Sequence, residues 1–123
     1  MPPQMTARSV VCFCLGALSL AGFAARPKMS PGLEKIVLAG HSHLQHQQYD
    51  LARKLFLDAS AYAEREGNHR YVPRLRSNIG VTYLAVQQYQ NALPYFLEAR
   101  SMARTQGDEE TDASANVNLA AIY

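Results

Sequence analysis

The chain contains no tryptophan, and its only cysteines are Cys12 and Cys14, close together near the N-terminus. Two cysteines cannot supply a four-thiolate zinc site, and the chain beyond them has nothing to cross-link, so it needs no disulfide. An excess of one charge is missing too. The net charge is +2 at pH 7, too little to draw the chain to nucleic acid or a membrane surface. There is no nucleophile elbow, no glycine-rich phosphate loop and no His-Glu-x-x-His, and the carboxylates are scattered over faces expected to be exposed. No catalysis, no cofactor and no small-molecule substrate is therefore expected. At 123 residues, 48% of them hydrophobic, there is material for one small packed domain.

Residues 1–25 stand apart. Arg8 precedes an uncharged run from Ser9 to Ala25 that ends in small residues, the pattern of a secretory signal peptide, with cleavage expected after Ala24. The run is short for a membrane span, which needs about 20 residues. Export is thus the expectation, and a membrane anchor or a cytoplasmic chain the alternative. Residues 26–32 carry Pro27, Pro31 and Gly32 and read as a linker. Ser30-Pro31 suits a helix N-cap and first helical residue.

The remainder, residues 33–123, repeats itself at a period of 40 residues. Gly40, Leu44, Gln47, Gln48, Tyr49, Ala52, Phe56, Leu57, Ala59, Ala63 and Gly67 recur as Gly80, Leu84, Gln87, Gln88, Tyr89, Ala92, Phe96, Leu97, Ala99, Ala103 and Gly107. Asn118, Ala120 and Tyr123 begin a third copy of Asn78, Gly80 and Tyr83. Apolar spacing by three and four predicts a helix over 33–48, a second over 50–66, then 70–87 and 90–106, with Pro94 in or next to a first turn. Gly67 and Gly107 read as C-terminal caps, and Asp108 as the N-cap of a fifth helix. The copies are thus 33–67, 73–107 and an incomplete third from 108. Gly80 and Ala92 let two helices of one hairpin approach, with Phe96 and Tyr83 filling the space beside them.

Ile79-Gly80, Tyr83, Ala92-x3-Phe96 and Ala99 resemble the tetratricopeptide repeat, as do Ala39-Gly40, Ala52-x3-Phe56 and Ala59, and Leu119-Ala120 with Tyr123. Ile36, Arg76 and Asn116 stand where that family has Trp, and the closing Pro is missing. The resemblance implies an all-α fold: antiparallel helix hairpins stacked as a short right-handed α-solenoid. It also implies a protein–protein interaction scaffold whose first helices line a concave groove for a partner peptide or helix. Carried over, the groove residues include His41, Gln45, Arg74, Ser77, Asn78 and Asn118, besides Glu34, Val37, Val81, Ser114 and Val117. Ser77 is expected to face the open groove, and Asn78 and Asn118 to bond a peptide backbone. Ser77 and Val81 replace the Lys and Asn of the family's clamp for acidic tails, which argues against that binding mode.

Other readings are blander. Arg65, Arg70, Arg74 and Arg76 either meet an acidic partner or form a solvated face balanced by Glu64, Glu66 and Asp58. His41 and His43 point about 160° apart on a helix, and only His43 and His46 share a side, so no metal site is expected. The fifth helix reaches residue 123 without a polar cap, and self-association through it, or a continuing chain, is expected. A different class of function is a regulatory part of a larger exported or membrane-tethered signalling protein or enzyme.

Overall fold

A computed structural model describes residues 29–123. The expected leader, residues 1–25, and linker residues 26–28 lie outside the described residues. Five α-helices follow one another: α1 (Pro31–Gln45), α2 (Tyr49–Arg65), α3 (Val72–Ala85), α4 (Tyr89–Gln106) and α5 (Glu109–Ile122), with a 3-10 turn at His69–Tyr71 before α3. Among the described residues there is no strand, and no helix is long and apolar enough to cross a membrane. Neighbours in sequence pack on each other, so α1/α2 and α3/α4 form hairpins, and α5 lies on α4 and also touches α3.

Local chemistry fixes the ends. Ser30 caps α1, its Oγ accepting from the Leu33 N–H at 3.3 Å and donating to the Glu66 carboxylate at the end of α2. Asp108 caps α5 by accepting from the Thr111 N–H at 3.1 Å. Four turns close in the same way. The N–H groups of Gln48, Asn68, Gln88 and Asp108 reach back to the carbonyls of His43, Ala63, Tyr83 and Ala103 at 2.8–3.0 Å. The residue before each donor is left-handed: Gln47 (φ 61), Gly67 (φ 76), Gln87 (φ 63) and Gly107 (φ 72). Glycine accepts this conformation freely. Glutamine takes it twice, at the turns inside the hairpins, where its Cβ makes the conformation cost about 1–2 kcal/mol.

Pro94 departs from expectation. It sits inside α4, which begins at Tyr89. The lost hydrogen bond would have gone to the Gln90 carbonyl. Gln90 and Pro94 are both exposed, so water can meet that carbonyl and the helix continues.

The core is built from the repeated residues. Phe56 and Phe96 are fully buried, as are Ala52, Ala59 and Ala63 on α2 and Ala92, Ala99 and Ala103 on α4. A methyl group on Gly40 would come within 2.7 Å of the Phe56 ring, and one on Gly80 within 2.8 Å of the Phe96 ring. Each hairpin therefore closes by an aromatic ring lying on a glycine, as the spacing of Gly80 and Ala92 suggested.

Candidate partner-binding surface

The residues expected to line a groove lie on α1, α3 and α5, and the structure treats them unequally. Gln45 ends α1 and is exposed. His41 is partly buried, its ring edge-on to Phe56 with centroids 5.2 Å apart, and burial pushes its pKa down to about 4. Arg74 is not a free cation: it pairs with Glu110 at 3.6 Å, both side chains mostly buried, which ties α3 to α5.

Ser77 and Asn78 are only 3% and 2% exposed, and Asn118 is fully buried. Ser77 therefore does not face open water, and that expectation is corrected. The position was carried over from the family's groove pattern, and here it is buried. Val37, Val81 and Ser114 are buried as well, whereas Glu34 and Val117 remain exposed.

Two of the four clustered arginines, Arg74 and Arg76, are in ion pairs. Arg76 sits between Glu64 at 3.4 Å and Glu98 at 3.2 Å, linking α2, α3 and α4. Arg65 lies 5.9 Å from the Tyr62 ring. His43 Nδ1 is 2.5 Å from the Gln48 side-chain oxygen and His46 Nδ1 is 2.7 Å from the Ser42 carbonyl. Among the described residues no group of three or more His, Cys, Asp or Glu is arranged to hold a metal ion.

One residue that binds the stack was not singled out from the sequence. Arg53 on α2 has its Cζ over the Tyr83 ring, 3.8 Å from the centroid, and donates from Nε to Thr82 Oγ1 at 3.0 Å. Tyr83 in turn stacks on Tyr95, with centroids 5.8 Å apart. The signal was a break in the repeat: forty residues on, the equivalent position holds Leu93.

The neutral His41 makes stability depend on pH. Unfolded, a histidine binds its proton below about pH 6.5, whereas folded His41 resists it until about pH 4. Its folded pKa is depressed, so its contribution is present above pH 6.5 and lost as pH falls towards 4. Between pH 7 and pH 5 the loss should reach about 2 kcal/mol. The urea midpoint should fall over that interval in the natural chain and fall less in His41→Gln. Equal falls would mean that other groups carry the effect.

The fold defines a class: an all-α solenoid of stacked helix hairpins. The tetratricopeptide repeat family model matches residues 36–105. The chain belongs to the tetratricopeptide repeat family. No curated protein and no solved structure matches it significantly. Repeats of this family generally mediate protein–protein interaction, and the fold is typically a scaffold without catalysis.

Proposed function

We propose that this chain is a protein-interaction module that holds a partner peptide or helix along α1, α3 and α5 and performs no chemistry of its own. One observation carries the reading. Ser77 Oγ and Asn78 Nδ2, on consecutive residues of the central helix α3, are buried and have no hydrogen-bond partner in the folded chain. Leaving such a group unmet costs about 1–3 kcal/mol. Ser60 Oγ on α2 and Thr111 Oγ1 on α5 are unmet in the same way, but Ser77 and Asn78 are consecutive on the central helix. An asparagine amide, with donors and an acceptor, complements a peptide backbone. Both atoms are inaccessible in the free chain, so engagement requires Asn78 to rotate, a change of the scale common at interfaces.

The reading predicts a trade between stability and binding. Ser77→Ala removes an unmet hydroxyl and improves helix propensity, and should stabilise the chain by about 0.5–1.5 kcal/mol. That corresponds to a rise of roughly 2–10 °C in Tm for a domain of this size. Peptides selected against the full chain from a random library should bind Asn78→Ala about tenfold more weakly. A lower Tm for Ser77→Ala would show that its hydroxyl is bonded in the fold. Undiminished binding to Asn78→Ala would remove the basis for the reading.

A further inference from the structure

The two junctions between repeats are built differently, and the first leaves a cleft. After Gly107 the chain reads Asp108-Glu109-Glu110. Asp108 caps α5, accepting from the Thr111 N–H at 3.1 Å, and Glu110 pairs with Arg74 at 3.6 Å. After Gly67, forty residues earlier, the chain reads Asn68-His69-Arg70. The Asn68 side chain makes no capping bond. The 3-10 turn His69–Tyr71 comes first, and α3 begins only at Val72. Gln106, at the end of α4, holds the turn by donating from Nε2 to the His69 carbonyl at 3.0 Å.

The turn and the C-terminal ends of α2 and α4 border an open cleft of about 560 Å³, lined by Glu66, Gly67, Asn68, His69, Arg70 and Gln106. That volume is in the range of small-molecule sites. None of these residues belongs to the set proposed to hold a partner along α1, α3 and α5. Glu66 and Arg70 are both exposed. Among the described residues nothing pairs with the Arg70 guanidinium, although Glu66 lines the same cleft. The Glu66 carboxylate takes the Ser30 hydroxyl, and a carboxylate can accept about four hydrogen bonds. A cation and an anion thus share one cleft without joining each other, each with bonding capacity to spare. A phosphate or sulfate would meet the Glu66 charge, and a polyamine the Arg70 charge. A ligand that carries both charges meets neither objection. The guanidinium fork fits a carboxylate, and the Glu66 carboxylate can accept from an ammonium. The Asn68 amide offers a donor and an acceptor to a peptide group between them.

We infer that this cleft binds a small zwitterion, a short peptide or free amino acid, with its α-carboxylate on Arg70 and its α-ammonium on Glu66. The site is separate from the one around Ser77 and Asn78, and the two proposals fail separately.

The probe is trialanine, titrated into the full chain at pH 7 and followed by amide NMR shifts. At that pH its carboxyl is ionised and its amino group, with a pKa of about 8, is mostly protonated. The expected result is saturable shifts centred on Gly67, Asn68, Arg70 and Gln106. N-acetylation or C-terminal amidation of the peptide should each weaken binding roughly tenfold, the loss of one charged hydrogen bond. Arg70→Gln should no longer distinguish the amide from the free acid. Glu66→Gln should no longer distinguish the acetylated from the free amine. Both side chains are exposed, and glutamine still accepts from Ser30 Oγ, so neither melting curve should move. Asn78→Ala should leave the shifts intact. Free alanine binding as tightly as trialanine supports the inference with an amino acid as the ligand, and weaker binding by alanine supports it with a peptide. No saturable shift at millimolar trialanine overturns it. So do shifts centred on Ser77 and Asn78, and binding that both variants leave unchanged. Inorganic phosphate binding as tightly as trialanine overturns it too, since the cleft is then a simple anion site.

Discussion

Truncation of Phe96 to alanine is expected to cost about 3–5 kcal/mol, which is a large part of the roughly 5–10 kcal/mol that a domain of this size has. The ring is fully buried and lies on Gly80, where no side chain can move in to fill the space it leaves. The same contact can be attacked from its other side. Gly80→Leu forces volume against the ring and should cost about 1–3 kcal/mol. Combined, the two changes exchange a large residue across one interface. The double variant should therefore lose less than the sum of the singles, with a coupling of about 1 kcal/mol or more in urea midpoints. Strict additivity would mean that the Gly80–Phe96 contact does not set the spacing of α3 and α4.

That contact was legible in the sequence, and the reason is physical. A glycine and a phenylalanine sixteen residues apart, repeated forty residues earlier, describe a ring packed on a backbone within one hairpin. What short-range spacing decides reads in this way: the helices, the glycine caps, Asp108 and Ser30. What depends on the next hairpin does not. The family's groove pattern places Ser77 and Asn78 in the open, and both are buried. Arg74 looked available because Glu110, its partner, belongs to the following repeat. The left-handed Gln47 and Gln87 escaped notice since glutamine gives no local sign of that conformation. Only their identical placement, one before each Gln-Tyr pair, marked the turns.

The junctions between repeats also differ from one another in sign. Between α2 and α3, Arg76 of α3 meets Glu64 of α2 at 3.4 Å. Between α4 and α5 the polarity is reversed: Arg104 on α4 pairs with Asp112 on α5 at 3.1 Å. Partly exposed pairs of this kind contribute little stability each. Their value lies in order. Setting α3 in the place of α5 on α4 would bring Arg76 beside Arg104, and like-charge juxtaposition disfavours a wrong pairing. Hairpins that share a core pattern thus carry different charges where they meet.

The strongest polar tie between hairpins is Arg53, and its removal should be the costliest surface-adjacent change. Its side chain is only 15% exposed, and it joins α2 to α3 by two means. The guanidinium covers the Tyr83 ring, an interaction of about 0.5–2 kcal/mol. It also donates to Thr82 Oγ1 at 3.0 Å and to the Thr82 carbonyl at 3.4 Å. Hydrogen bonds from a charged donor add about 1.5–3 kcal/mol. The pair with Asp50, whose side chain is 93% exposed, adds little. Arg53→Ala should therefore cost about 2–4 kcal/mol, leaving Tyr83 uncovered and Thr82 without its donor. Arg53→Lys should recover little, because an ammonium cannot lie flat on the ring while reaching Thr82. Arg53→Leu should recover about half, since Leu93 fills the equivalent place on α4 and packs against the core. Denaturant midpoints of the three variants decide the matter. If leucine proves as damaging as alanine, the hydrogen bonds to Thr82 carry the tie. If lysine matches arginine, the contact with the Tyr83 ring contributes nothing, and charge alone accounts for the Arg53 tie.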